Sequence, residues 1–172
     1  MSLTLVLGGA RSGKSRYAQA AAEAMAGPAG VAPLLIATAT ADDGEMADRI
    51  ARHQADRGPR WRTIEAPLAL AEILTGLRAD DVAVVDCLTL WLSNVMAEGD
   101  VAAPTEALVA ALAYCPARLW LVTNEVGWGI VPDNPLARRF RDAAGVLHQR
   151  IATIADEVVL IAAGLPLTLK PQ

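Results

Sequence analysis

An α/β fold with a mostly parallel central sheet flanked by helices is predicted by three observations on the 172-residue chain. Strand-like apolar runs alternate with helical stretches along the sequence, the pattern that builds a parallel sheet covered on both faces. The runs Val82-Ala83-Val84-Val85 and Leu119-Trp120-Leu121-Val122 are continuously apolar, as strands buried on both sides are. The first run, Leu3 to Leu7, leads directly into Gly8-Gly9-Ala10-Arg11-Ser12-Gly13-Lys14-Ser15, which fits G-x-x-x-x-G-K-[ST]. Strand, glycine-rich loop and Ala-rich helix in that order make the expected fold a three-layer P-loop NTPase-like one. The length suits a single nucleotide-binding domain over residues 1–172.

Each element has its own reason. The helix after the loop runs from Ser15 to about Met25, with no internal Gly or Pro until Gly27-Pro28. A second strand is expected over Pro33 to Ala37. The acid-led stretch Asp42 to His53 reads as a helix, with Met46, Ile50 and His53 on one face at i, i+4 and i+7. Further strands follow over Val82 to Asp86, Arg118 to Thr123 and Glu157 to Ala162. Ala97 to Pro104, rich in Gly, Ala and acid, reads as a loop before a helix beginning near Thr105. In a parallel sheet of this kind the functional loops lie at the carboxyl ends of the strands.

Composition narrows the class. Hydrophobic residues make up 53% and charged ones 20%, with a mean hydropathy of +0.32. Much of this is alanine, and no apolar run reaches the roughly 18–20 residues of a membrane span. With no basic leader and no cleavage site, a cytoplasmic place is expected, without stable membrane association. The net charge of −4 argues against an extended nucleic-acid surface. Cys87 and Cys115 lack C-x-x-C spacing and read as buried free thiols.

The chemistry-bearing residues cluster at the strand ends. The loop glycines bring successive backbone N–H groups toward one point, Lys14 adds a charge for the β/γ-phosphates, and Ser15 offers a hydroxyl to Mg²⁺. Asp86 closes its strand where a carboxylate would hold the same ion directly or through water. Glu125 closes the next strand run, with metal ligand, general base and structural acid all open. His53 is either a half-buried helix histidine or a nucleophile toward phosphorus. Arg49, Arg52 and Arg57 flank it and suit oxyanions or solvent. His148 has a weaker claim of its own.

Ordered blocks then carry a resemblance. Gly8 to Ser15, Ile36-Ala37-Thr38-Ala39, Glu45-Met46 with Arg49-Ile50 and His53, and Trp61-Arg62-Thr63-Ile64-Glu65 come first. Asp86-Cys87-Leu88-Thr89 through Asn94, Val122-Thr123-Asn124-Glu125-Val126-Gly127 and Gly129-Ile130-Val131-Pro132 follow, with Asn134, Arg138, Asp142, Asp156 and Gly164-Leu165-Pro166 beyond. Together they resemble the bifunctional adenosylcobinamide kinase / adenosylcobinamide-phosphate guanylyltransferase family, nearly end to end.

The resemblance implies two late steps of cobalamin nucleotide-loop assembly. ATP or GTP phosphorylates adenosylcobinamide, and GTP then donates GMP to adenosylcobinamide phosphate through a histidine adduct, which by motif position is His53. Lys14 and Glu125 join it as catalytic candidates. Nucleotide contacts would fall on Gly8, Gly9, Ala10, Arg11, Ser12, Gly13, Lys14 and Ser15, on Thr38, Ala39 and Thr40, on Gln54, Ala55, Asp56 and Arg57, and on Glu65 and Asp86. Mg²⁺ would take Ser15 and Asp86, and a small homo-oligomer, a trimer, is implied. Two departures stand out: His148 where an asparagine is expected, and a short segment between Asn94 and Thr105. A plain P-loop kinase for another small alcohol would have no use for His53. A nonenzymatic nucleotide switch would lack the acceptor as well.

Overall fold

The computed structural model describes residues 2–39 and 60–171. Seven strands form one sheet: β1 (Ser2–Gly8), β2 (Leu34–Ala37), β3 (Arg62–Glu65), β4 (Val82–Asp86), β5 (Arg118–Val122), β6 (Glu157–Ala162) and β7 (Leu165–Lys170). Their spatial order is β3-β2-β4-β5-β1-β6-β7. Every pairing is parallel except β6 with β7. The described helices are α1 (Lys14–Ala29), α2 (Leu70–Thr75), α3 (Leu88–Glu98), α4 (Ala102–Tyr114) and α5 (Pro135–Ile154). None of them is long and apolar enough to cross a membrane.

Alternate residues of the central strands feed two cores. Leu3, Leu5, Ile36, Val85, Leu119 and Leu121 pack with α2, α3, α4 and α5 on one face. Val6, Leu35, Val84, Trp120, Val122 and Val159 pack with α1 on the other. Ala18, Ala22 and Ala26, spaced by four along α1, are all buried. Their small side chains let the helix lie close to the sheet. α5 starts on Asn134, whose Oδ1 accepts from the Ala137 N–H at 2.8 Å, with Pro135 at its first position. The last carbonyls of that helix are tied to β7: Lys170 Nζ donates to the carbonyls of Ala152 at 3.1 Å, Thr153 at 3.3 Å and Ala155.

The five expected strands are present, and the differences have local causes. α1 runs past Gly27-Pro28 to Ala29 and ends on Gly30 in the left-handed region. Pro28 removes only its own N–H from the last turn. The expected loop at Ala97 to Pro104 shrinks, because α3 extends to Glu98 and α4 begins at Ala102. Pro104 sits in the first turn of α4, where an N–H has no intrahelical partner, and Asp100 Oδ1 accepts from the Ala102 N–H at 2.9 Å. β3 and β7 were not expected as strands. β7 returns from β6 through Ala163 and Gly164, both with positive φ (52° and 81°), a two-residue hairpin turn. The helix expected over Asp42 to His53 lies outside the described residues.

Candidate phosphate-binding site

Sheet order sets the geography of the site. β5 lies between β1, which carries the phosphate loop, and β4, which ends in Asp86. One register row runs Val6, Val122, Asp86, Ala37, Glu65. Asp86 is thus two strand spacings from Val6, roughly 10 Å, and Glu65 four, roughly 19 Å. Above this row, at the carboxyl ends, opens a cleft of about 710 Å³ lined among others by Lys14, Ser15, Asp86, Asn124 and Gly164.

The loop is shaped by close backbone approach. A Cβ at Gly8 would lie 2.5 Å from the Ile161 carbonyl and 2.7 Å from Ser12 Oγ, so only glycine fits. Gly13 has a φ of 100°, and a Cβ there would lie 3.4 Å from Gly164 Cα. The Gly164 N–H donates to the Ser12 carbonyl at 2.9 Å, so the β6–β7 turn braces the loop from outside. Gly9, Ala10 and Arg11 form its outer arc, Arg11 with a φ of 54°. Lys14 is only 6% exposed. Its Nζ donates to the Gly9 carbonyl at 2.6 Å, which leaves two of its three N–H bonds for an anion. Burial lowers the Lys14 pKa, against a smaller opposing pull from Cys87 and Asp86. A buried ammonium that shares a cleft with the Asp86 carboxylate could hold a phosphate and its cation.

Asp86 is aimed by a neighbour. Thr38 is fully buried, its hydroxyl donates to the Cys87 carbonyl at 2.7 Å and accepts from the Cys87 N–H at 2.8 Å. Its N–H bonds to the Asp86 carbonyl at 3.3 Å. Asn94 Nδ2 donates to the Thr38 carbonyl at 2.9 Å and to that of Pro67 at 3.1 Å. Thr38, expected as a nucleotide contact, therefore has its hydroxyl committed behind the cleft, while Ala39 lines it. Glu65 is exposed at the far end of the row.

Glu125 is held by three contacts. Its N–H donates to the Gly8 carbonyl at 3.0 Å. Oε1 accepts from the Gly127 N–H at 2.6 Å, and a Cβ at Gly127 would crowd that oxygen at 2.9 Å. Oε2 lies 3.8 Å from His148 Nδ1. The carboxylate thus bonds its own loop, and buried His148 Nδ1 has no hydrogen-bond partner among the described residues. His148 is 7% exposed, and burial lowers its pKa although Glu125 pulls the other way. Its Nε2 is 2.8 Å from Thr123 Oγ1, which is 3.3 Å from Thr89 Oγ1, which in turn accepts from the Asn124 N–H at 2.7 Å. Thr89, Asn94, Thr123 and Asn124 stand in the blocks that carry the resemblance but were given no site role from sequence. Strand alternation could have found Asn124, since continuing the alternation of Trp120 and Val122 past the end of β5 carries it to the cleft. Of the expected site residues, His53, Thr40, Gln54, Ala55, Asp56 and Arg57 lie outside the described residues, as do Arg49 and Arg52.

The family model described as cobinamide kinase / cobinamide phosphate guanyltransferase matches residues 4–169. The chain belongs to that family. The cobinamide kinase / guanylyltransferase assignment agrees with two relatives of nearly equal length. A bifunctional adenosylcobalamin biosynthesis protein, CobP, from Pseudomonas aeruginosa is 49% identical, with 98% of this chain and 97% of that protein covered. CobU of the same description from Salmonella typhimurium is 43% identical, with 98% and 99% covered. Solved structures share the fold alone. The flagellar accessory protein FlaH from Methanocaldococcus jannaschii has a TM-score of 0.54 at 14% identity, covering 99% of this chain and 79% of that one. The P4 protein of bacteriophage phi6, in complex with ADP, has 0.50 at 16%, covering 96% and 52%. The expected P-loop NTPase-like sheet and the expected family are thus both found, and the chain is an enzyme of the cobinamide kinase and cobinamide-phosphate guanylyltransferase type.

Proposed function

We propose that this chain performs both reactions on adenosylcobinamide: phosphorylation of its aminopropanol hydroxyl by ATP or GTP, then transfer of GMP from GTP to the resulting phosphate. The observation that carries this reading is the family match over residues 4–169, which spans the phosphate cleft and the His53 block alike. In the first step the acceptor oxygen bonds to the γ-phosphorus as the bond to the β,γ-bridging oxygen breaks, and the hydroxyl proton passes to solvent. The loop amides and Lys14 position and neutralise the phosphates. In the second, a His53 ring nitrogen bonds to the α-phosphorus and pyrophosphate leaves. A phosphate oxygen of adenosylcobinamide phosphate then takes the GMP, and the N–P bond breaks. Two inversions give retention at phosphorus.

The residues present suit Mg²⁺. Ser15 and Asp86 border the cleft and offer a hydroxyl and a carboxylate oxygen. Among the described residues no group of three or more His, Cys, Asp or Glu would cage an ion without substrate. That is the donor set of an ion completed by phosphate oxygens and water. When bound, Mg²⁺ neutralises charge on the phosphates.

Exposed Trp128, Ile130 and Val131, between β5 and α5, give an apolar rim that supports a large corrinoid acceptor. Leu165, Leu167 and Leu169 stand exposed along the edge strand β7, which supports a homo-oligomer, a trimer by the family resemblance. A cytoplasmic place fits a biosynthetic enzyme of this kind.

The test is product analysis with adenosylcobinamide, Mg²⁺, ATP and GTP. Adenosylcobinamide-GDP and pyrophosphate are expected. A phosphoester with no pyrophosphate would point to a plain kinase, and phosphate released without any acceptor product would point to a nucleotide switch.

A further inference from the structure

β5 leaves the sheet between the two charged sides of the cleft, and what leaves with it is polar. The alternation of the strand sends Leu119, Leu121 and then Thr123 toward the face covered by α5, and Trp120, Val122 and then Asn124 toward α1 and the phosphate loop. Successive N–H groups there are each tied to a different element. Thr123 donates to the Val6 carbonyl at 3.0 Å, Asn124 to Thr89 Oγ1 at 2.7 Å and Glu125 to the Gly8 carbonyl at 3.0 Å. Asn124 lines the cleft together with Lys14 and Asp86.

The side chains behind Asn124 form a hydrogen-bonded chain. His148 Nδ1 lies 3.8 Å from Glu125 Oε2, beyond hydrogen-bond reach, while its Nε2 is paired with Thr123 Oγ1 at 2.8 Å. Thr123 Oγ1 in turn lies 3.3 Å from Thr89 Oγ1, and Thr89 Oγ1 accepts from the Asn124 N–H at 2.7 Å. Fixing the imidazole fixes each hydroxyl in turn, and the last of them holds the backbone of Asn124.

We infer that the Asn124 side-chain amide reads the terminal phosphate of the bound nucleoside triphosphate, and that His148 is the residue that positions it through Thr123 and Thr89. This rests on the reading of the cleft as a triphosphate site. Lys14 serves the β/γ end of a phosphate tail, and it shares one cleft with Asp86 and Asn124, β5 lying between the strand of the phosphate loop and the strand that ends in Asp86. The γ-phosphate therefore lies on the Asp86 side of the loop, the side that Asn124 occupies. A carboxamide there donates to a phosphate oxygen without adding charge, so it favours a triphosphate over a diphosphate and leaves Mg²⁺ binding intact.

The test is a titration with GDP and with a GTP analogue whose β,γ bridge is non-hydrolysable, both with Mg²⁺, on wild type and on Asn124→Ala, His148→Leu and His148→Gln proteins. A hydrogen bond to a charged group predicts that Asn124→Ala loses roughly tenfold to hundredfold in analogue affinity while GDP affinity stays. His148→Leu is expected to lose part of the same preference. His148→Gln, whose amide reaches Thr123 as Nε2 does, is expected to restore it, a rescue that a merely packed side chain would not give. Wild-type preference in Asn124→Ala would overturn the role of Asn124. Equal loss of both nucleotides would overturn it too, since that marks general damage to the cleft. A wild type that binds neither nucleotide would overturn the triphosphate reading beneath it, a failure separate from the other two.

Discussion

The phosphate loop and the exit of β5 meet at one carboxylic edge of the sheet, yet they are built by opposite means. The loop is eight contiguous residues whose shape is imposed by backbone: no Cβ fits at Gly8, and the β6–β7 turn grips Ser12 from outside. The β5 exit is assembled from side chains far apart in sequence, with Thr89 on α3, Thr123 to Glu125 after β5 and His148 on α5. The first supplies charge and amides for any phosphate tail. The second supplies the orientation that tells one tail from another. A backbone-made site fails all at once when its geometry is blocked, whereas a side-chain network degrades in steps.

The largest break in this comparison is Lys14→Ala. Losing the single ammonium between the loop and Asp86 is expected to lower both transfer rates on the order of 10³-fold, with the melting temperature nearly kept. Steady-state rates beside thermal melts check this. Gly8→Ala comes next and acts on the fold as well. Forcing a Cβ against the Ile161 carbonyl is expected to cost about 2–3 kcal/mol, a drop in melting temperature of roughly 5–10 °C. An unchanged melting curve would contradict the close approach at that glycine.

Lys170→Met is a control outside both regions. It strips the carbonyls at the end of α5 of their cation and should cost about 1 kcal/mol in urea melts, with nucleotide affinity kept. The smallest effect is one of pH on the side-chain region. Burial holds the His148 pKa below its ordinary value, so the unfolded chain takes up that proton more readily than the folded one. Its contribution is therefore full above about pH 6.5 and fades as pH falls from there toward the folded value. Urea melts at successive pH values should fall less steeply below pH 6.5 for His148→Gln than for wild type. Parallel curves would contradict a buried neutral imidazole.

What the sequence revealed follows the same division. The placing of the Gly8 to Ser15 loop and Asp86 at one cleft was legible because it rests on contiguous residues and on a strand that is apolar up to Asp86. β3 was not, since a four-residue edge strand with Ile64 as its one half-buried apolar side chain offers no periodicity to detect. β7 had the alternation, in Leu165, Leu167 and Leu169, but Pro166 spoke against a strand and no buried face supported one. Ala163-Gly164 between two apolar runs was the overlooked signal. The Gly, Ala and acid content of Ala97 to Pro104 misled, because alanine suits a helix as well as a loop and Pro104 fits a helix's first turn. His148 had only a weak claim of its own and stood out mainly as a departure from the family pattern. Its partners Thr123 and Glu125 lie 25 and 23 residues away, a distance no local pattern spans. His53 was reached through resemblance, spacing alone having left a packed helix residue and a nucleophile both open.

The central claim is a guanylylated His53, and labelling tests it most directly. Wild-type and His53→Ala proteins are incubated with Mg²⁺ and GTP labelled on the α-phosphate, then assayed for acid-labile, alkali-stable label on the chain. Label on the wild type and none on His53→Ala is the predicted result. Equal label on both, or none on either despite demonstrated GTP binding, would contradict it.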